Sequence, residues 1–238
     1  MTDSNTHTSL LNTSNLEDNL EINSEDKKPV TPNNSNFFKY SPNDTKSHLI
    51  ATGYQLLAKK GFTAVGIKQI LETAGVPKGS FYHYFASKEA FGETIIESYF
   101  EHYKHRLEEI SDQNLTAQQK LCNYFQFWYN TQQNECDHEK CLVVKLSAEV
   151  SDISVTMREA LEGGYQQTID WITHQVNAGW SDNSIPHTAD ISAESIAKRW
   201  YYAWLGASLI AKTSCSNIPL AEVWQMTATE LGCESIEL

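Results

Sequence analysis

The residue best suited to covalent chemistry in this 238-residue chain is Cys141. It lies at the predicted start of a helix, and Lys140 and Lys145 are close to it in sequence. A helix N-terminus and a nearby ammonium group both stabilise a thiolate, and together they can lower a thiol pKa from about 8.5 toward neutrality. Three acidic residues between positions 135 and 139 oppose that effect. Cys141 is therefore a candidate nucleophile toward small electrophiles, and an inert packed thiol is the alternative interpretation.

Cys136 and His138 give Cys141 three other roles to consider. Cys136 could form a regulatory disulfide with Cys141 if their Cα atoms lie within roughly 7 Å. The three residues could also ligate a soft metal, but no fourth ligand is evident, so we expect neither a metal nor a cofactor. A thiol enzyme with His138 as base lacks a residue to orient the histidine, so we expect no enzyme. The other cysteines are interpreted as structural or incidental: Cys122, Cys215 and Cys233.

The positive charge of the chain is concentrated in one short block. The whole chain has a net charge of −12, which taken alone argues against a nucleic-acid partner. Residues 42–92, however, hold six lysines and three acids, whereas 1–41 carry −3 and 93–238 carry −12. The block 42–92 is therefore the part that could approach DNA. Residues 1–41 are dominated by Asn, Ser and Thr, and we interpret them as a disordered polar tail.

The spacing of apolar residues predicts an all-α protein. Three short helices are expected at about 45–60, 67–74 and 77–84, and the turn at Gly75 between the last two is typical of a helix-turn-helix. Ser87 is expected to cap a fourth helix that ends near 109, and Thr116 with Gln119 forms a capping box for a fifth. The pair Gly163–Gly164 is predicted to kink the seventh helix. The remaining helices are predicted at about 139–150, 155–178, 191–213 and 219–231.

Residues 61–91, GFTAVGIKQILETAGVPKGSFYHYFASKEAF, closely resemble the DNA-binding domain of TetR-family repressors. The resemblance rests on the Ala-Gly-Val turn, on Lys78-Gly79, on the run from Tyr82 to Phe85 and on Ser87-Lys88-Glu89. It implies a homodimer with a helix-turn-helix DNA-binding domain at 42–92. It also implies a helical effector-binding and dimerisation domain at 93–238. The expected partner is palindromic double-stranded operator DNA.

The side chains of the predicted helix-turn-helix suit contacts with DNA. Hydroxyl and imidazole groups on the exposed side of the third helix can reach phosphates or base edges, while Tyr84 or Phe85 packs inward. Gly66 stands where relatives usually carry a capping Ser or Thr, so only backbone N–H groups can offer that phosphate contact. A three-helix bundle with a solvated lysine face is the alternative to DNA binding. The expected DNA-binding residues are Lys68, Lys78, Gly79, Ser80, Tyr82, His83 and Lys88.

Two further segments, CLVVKLSAEVSDISVTMREAL at 141–161 and WLGASLIAK at 204–212, resemble the N-ethylmaleimide reductase repressor (NemR) branch of that family. This branch senses reactive electrophiles through cysteine. The resemblance implies that Cys141 is the sensing thiol and Lys212 its basic partner, and that a quinone, an aldehyde or an unsaturated carbonyl compound releases the repressor from DNA. Lys140 departs from the glycine that relatives usually have before this cysteine.

A reversibly bound small-molecule effector is the alternative to covalent sensing. Aromatic residues cluster at 124–129 and at 200–204, where they can form either a core and dimer interface or a ligand pocket. The longest apolar stretches are far shorter than the roughly 20 residues of a membrane span, and the N-terminus is polar. We therefore expect a soluble, cytoplasmic protein with no membrane partner.

Overall fold

The computed structural model describes residues 44–132, 142–187 and 190–233, which belong to one compact unit. These ranges contain nine α-helices and no strand, which confirms the all-α prediction. None of the helices in these ranges is long and apolar enough to cross a membrane. In chain order the helices are α1 (Thr45–Lys60), α2 (Ile67–Ala74), α3 (Lys78–Tyr84), α4 (Lys88–Ser111), α5 (Ala117–Gln132), α6 (Leu142–Val150), α7 (Val155–Ser181), α8 (Ala193–Ser214) and α9 (Ile218–Leu231).

Side-chain caps fix where several of these helices begin. The Ser87 hydroxyl accepts a hydrogen bond from the Ala90 N–H at the head of α4. The capping box before α5 is present in both directions, because Thr116 N–H donates to Gln119 Oε1 and Gln119 N–H donates to Thr116 Oγ1. These are the positions at which the sequence placed the helix starts.

The pair Gly163–Gly164 does not interrupt α7, which runs continuously through both residues. A β-carbon at position 164 would collide with the ring of Phe100 on α4, whereas a β-carbon at 163 would meet nothing. Gly164 therefore allows α4 and α7 to approach closely, and the glycine pair does not break the helix.

Two hydrophobic cores hold the helices together. The first core joins α1–α4 to α6 and to the first turns of α7, with Phe81, Leu146 and Met157 among its buried residues. The second core joins the C-terminal end of α4 to α5, α7, α8 and α9, and contains most of the tryptophan side chains. Within it the indole N–H of Trp128 donates to Ser208 Oγ at 3.0 Å, and that of Trp204 donates to Thr227 Oγ1 at 3.0 Å. Most of the clustered aromatic residues are thus core residues.

Candidate DNA-reading and effector sites

The turn between α2 and α3 is built by a glycine and a proline. Gly75 adopts a left-handed conformation (φ +65°), and its N–H bonds to Leu71 O at the end of α2. Non-glycine residues pay roughly 1–2 kcal/mol for this conformation. Pro77 follows as the N-cap of α3. Nε2 of His48 on α1 lies 3.0 Å from Ala74 O, so α1 also contacts this turn.

A cluster of phenylalanines holds α3 against α1 and α4. Phe81 is fully buried, and its ring centroid lies 5.2 Å from that of Phe91 on α4. Phe85 lies 4.8 Å from the same ring and is 3% exposed, whereas Tyr84 is 39% exposed. Of the two candidates left open by the sequence, Phe85 is therefore the one that packs inward.

The opposite face of α3 points to solvent and brings several of the predicted residues together. Lys78, Gly79 and His83 are exposed, Ser80 is half-buried, and Tyr82 is 49% exposed. Lys78 Nζ lies 5.7 Å from the centroid of the Tyr82 ring. This face offers an ammonium group, a phenol and an imidazole within two helical turns.

Tyr84 extends this face, although it is not among the expected DNA-binding residues. Its exposed ring lies 4.8 Å from that of His83. The signal was available in the spacing, because an inward pair at Phe81 and Phe85, four residues apart, leaves the residues between them outside.

The remaining candidates lie beside this face in different settings. Lys68 on α2 is highly exposed, with Nζ 3.7 Å from Glu72 Oε1. Lys88 Nζ lies 4.2 Å from the centroid of the Phe62 ring, and partial burial lowers the pKa of Lys88. Gly66 caps α2 without a side-chain hydrogen bond, and a β-carbon there would meet nothing within 4 Å. The first N–H groups of α2 are thus left for another acceptor.

Helix α6 contacts α1 and the connection between α1 and α2 through two charged side chains. Nζ of Lys145 donates to Lys59 O at 3.2 Å, near the C-terminal end of α1. Oε2 of Glu149 accepts a hydrogen bond from Thr63 N–H at 3.0 Å, in the connection between α1 and α2. Gly61 has φ +85°, and a β-carbon there would collide with the Glu149 carboxylate. The backbone of this connection is therefore fitted closely around α6.

The inner side of α6 contacts a cluster of tyrosines in the body of the protein. The Ser147 hydroxyl hydrogen-bonds to the Tyr165 hydroxyl, and the Tyr165 ring centroid lies 5.9 Å from that of Tyr201. The Tyr103 hydroxyl donates to the Tyr124 hydroxyl at 3.1 Å. Burial raises the pKa of Tyr124 well above its ordinary range, and the neighbouring Tyr103 adds to the shift. The cluster thus brings phenol hydroxyls and ring faces together.

The two residues implied in electrophile sensing differ in what the structure describes. Cys141, together with Cys136 and His138, lies outside the described residues. Lys212 is in the last turn of α8, where the helix dipole favours a cation, and its Nζ is buried. α6 begins at Leu142, the residue after Cys141, and contacts α8. Within 44–132, 142–187 and 190–233 no group of three potential metal ligands occurs.

One face of α8 is apolar and exposed. Tyr202, Leu209 and Ile210 project from it, and a β-carbon at Gly206 would meet nothing within 4 Å. Their spacing places all four on one side of the helix. Ile218 at the start of α9 is also exposed. A contiguous apolar surface of this kind typically marks a protein interface.

Comparison with known proteins identifies relatives that span most of the chain. Residues 49–93 match the family described as bacterial regulatory proteins, tetR family. The chain is 39% identical over 186 residues to the HTH-type transcriptional repressor NemR of Escherichia coli K12. This alignment covers 76% of the present chain and 91% of that protein. The chain is 30% identical over 186 residues to the transcriptional regulator AcuR of Cereibacter sphaeroides, covering 76% and 83%.

The structural comparison agrees with these matches. The crystal structure of the reduced form of E. coli NemR superposes with a TM-score of 0.75 at 37% identity, and covers 82% of this chain and 100% of that chain.

Proposed function

Because this chain belongs to the TetR family of bacterial regulatory proteins, we propose that it is a dimeric transcriptional repressor released from its operator when a small electrophile modifies Cys141. Its relatives are transcriptional regulators, and we assign it no enzymatic activity. A repressor of this kind acts where the chromosome is, in the cytoplasm. The observation that carries the sensing proposal is that α6, whose first residue follows Cys141, hydrogen-bonds directly to the connection between α1 and α2.

We propose that the exposed face of α3 enters the major groove. Lys78, Tyr82 and His83 would contact base edges and the flanking phosphates, and Gly79 and Ser80 would let the backbone come close. Lys68 and the uncapped N-terminus of α2 would bind phosphates beside the groove. Lys88, the first residue of α4, would bind a further phosphate. Two protomers would read a palindrome with half-sites about one helical turn apart or further.

The homodimer is proposed to form through the exposed apolar face of α8. Tyr202, Leu209 and Ile210 would be buried against the same residues of a second copy, since a two-fold axis pairs identical surfaces. The open space at Gly206 would allow the two α8 backbones to approach closely.

The sensing step we propose is a conjugate addition. The Cys141 thiolate attacks the β-carbon of an unsaturated carbonyl compound or quinone, and a C–S bond forms while the π electrons move to the carbonyl oxygen. A proton from solvent then neutralises the enolate, and no group leaves. The Lys212 ammonium would stabilise the thiolate before the attack.

The adduct would then act through α6 on α1–α3, which we propose are the DNA-reading helices. If α6 shifts, the contacts of Lys145 with Lys59 O and of Glu149 with Thr63 N–H are lost together. The two α3 helices of the dimer would no longer match the half-site spacing. Coupling of this kind is typically about 1–3 kcal/mol, or roughly 5- to 150-fold in operator affinity.

The test uses an operator selected by the reduced protein from a random duplex pool, with p-benzoquinone as the electrophile. We expect wild type and the matched control Cys215→Ser to bind the operator about 5- to 150-fold more weakly once one adduct per protomer has formed. Cys141→Ser should keep its affinity under the same treatment. If Cys141→Ser is released as fully as wild type, covalent sensing at this residue is wrong.

A reversibly bound effector is the second candidate, and the tyrosine cluster favours it. Phenol hydroxyls and ring faces suit an aromatic or hydroxylated ligand, and the contact between Ser147 and Tyr165 would connect such a ligand to α6. A reversible effector would still release Cys141→Ser from DNA. It would also be lost on denaturation, whereas a covalent adduct persists in the intact mass of the chain.

A further inference from the structure

We propose that Cys122 and Cys233 form a reversible disulfide, a second thiol modification site separate from electrophile sensing at Cys141. The two residues are bonded in the structure, with Cα atoms 6.6 Å apart. Cys122 is on α5, and Cys233 follows the C-terminal end of α9. The Cα separation lies within the range of protein disulfides. The proposal does not depend on the function proposed above.

The backbone positions Cys233 independently of the sulfur atoms. Gly232 takes a left-handed conformation (φ +72°), which ends α9, and the Cys233 N–H bonds to Ala228 O at 2.9 Å. This 6→1 bond is the Schellman motif, which fixes the direction in which the chain leaves the helix. The backbone hydrogen bonds that end α9 therefore fix the position of Cys233.

A second contact holds the same helix end against α5. Nε2 of Gln118 donates to Leu231 O at 2.7 Å and to Gly232 O at 3.1 Å. Gln118 lies one turn before Cys122 on α5. Because these hydrogen bonds do not involve sulfur, the two thiols are expected to stay close when reduced. Oxidation then closes a pair that is already in position.

The pair also differs from the other described cysteine in its surroundings. Cys122 and Cys233 are half-buried and pack against the second core. Cys215 is exposed and is the free cysteine of the described ranges, which exclude Cys136 and Cys141. Because both side chains are partly exposed, a small reagent can reach the two sulfur atoms. The neighbouring core limits the movement of the two cysteine side chains.

The oxidation we propose is thiol–disulfide exchange with a low-molecular-weight disulfide. One protein thiolate attacks a sulfur of the small disulfide, forms a mixed disulfide and expels one small thiolate. The second protein thiolate attacks the protein sulfur of that mixed disulfide and expels the second small thiolate. Two electrons and two protons pass from the protein to the small disulfide, and excess small thiol reverses both steps.

Closing this bond should stabilise the fold and the end of α9 in particular. The crosslink joins residues 111 positions apart, so it restricts the unfolded chain over nearly half its length. We expect the oxidised protein to melt about 5–10 °C above the reduced protein. The amides of residues 228–233 should exchange hydrogen more slowly, since fraying of the last turn of α9 then requires movement against α5.

The test uses the full chain in which Cys136, Cys141 and Cys215 are replaced by serine, so that only the proposed pair is left. The protein is equilibrated in oxidised or reduced glutathione and then mapped by peptide mass spectrometry, thermal melting and hydrogen exchange. We expect a peptide linked through Cys122 and Cys233, the higher Tm and the slower exchange only in oxidised glutathione. Adding Cys233→Ser should abolish all three differences.

Peptide mapping of oxidised wild type keeps the proposal testable even if the multiple variant folds poorly. Linked 122–233 peptides in wild type support it. Mixed disulfides with glutathione at both cysteines, a bond from either residue to another cysteine, or equal Tm values in the two buffers would overturn it.

Discussion

Replacement of Glu149 by glutamine tests whether α6 controls the DNA-reading helices. The side chain accepts a hydrogen bond from Thr63 N–H at 3.0 Å, and the glutamine amide oxygen can keep this bond while the charge is lost. The substitution therefore weakens one contact between α6 and the α1–α2 connection and leaves the size of the side chain almost unchanged. For this prediction we take the described conformation, in which the hydrogen bond is made, as the one that binds the operator.

The size of the effect follows from the loss of charge. A hydrogen bond to a charged group contributes about 1.5–3 kcal/mol, and a neutral one about 0.5–1.5 kcal/mol. The Glu149 contact is solvent-exposed, so screening reduces the difference to about 0.5–1 kcal/mol per protomer. Both protomers of a dimer make this contact in the operator-binding conformation, so the substitution shifts the equilibrium toward the released conformation by about 1–2 kcal/mol, or roughly 5- to 30-fold.

The assay is a fluorescence anisotropy titration of labelled operator at one salt concentration, with unmodified protein and with protein carrying the quinone adduct. The free unmodified protein already makes this contact, so Glu149→Gln should change its Kd little. The modified protein must re-form the contact to bind the operator, so its Kd should rise by up to this factor. Glu159→Gln, an exposed glutamate on α7, makes the same charge change and should alter neither. Thermal melting checks that both variants are folded.

Two results would refute this reasoning. If Glu149→Gln raised the Kd of modified and unmodified protein by the same factor, the contact would support the fold without reporting on the sensor. If it behaved like Glu159→Gln, α6 would not communicate through this hydrogen bond.

Three further predictions concern DNA binding, packing and assembly. Lys78→Gln should lower the slope of log Kd against log salt by about 1 per protomer. Lys88→Gln should lower this slope less, because the Lys88 ammonium lies over an aromatic ring. Operator titrations at several salt concentrations measure both slopes. Gly164→Ala should reduce the free energy of unfolding in urea by about 1–3 kcal/mol through collision with the neighbouring ring, whereas Gly163→Ala, which has open space, should raise it by about 0.5–1 kcal/mol. Leu209→Glu should give monomers in sedimentation and abolish operator binding, and a dimer that persists would show that α8 does not form the interface.

The sequence predicted the helix bounds well because single capping residues and turn glycines determine where a helix begins and ends. The Ser87 cap, the Thr116 and Gln119 capping box and the Gly75 turn all stand where the sequence placed them. The glycine pair Gly163–Gly164 does not break α7, because Gly164 makes room for the Phe100 ring, and the sequence shows the glycine but not the ring that packs against it.

Contacts between residues far apart in sequence could not be predicted in the same way. Lys145 and Glu149 look like solvated charges on a helix, and their partners are backbone atoms, which any residue type supplies. Cys122 and Cys233 are 111 residues apart, and only the packing of α9 on α5 brings them together. The face of α3 that we propose contacts DNA could be predicted from the sequence because it lies within one short helix, whereas the contacts that would control it join distant segments.

The first hydrophobic core restricts which segments proteins of this kind can exchange by recombination. Phe62 and Phe91, within 42–92, share that core with Leu142, Leu146 and Met157 from beyond position 93. A recombination that joined one regulator's first ninety residues to another regulator's remaining chain would have to match these five side chains in volume. We therefore expect α6 to be inherited with the DNA-reading helices, so that viable chimeras carry both from the same parent while α5, α8 and α9 diversify.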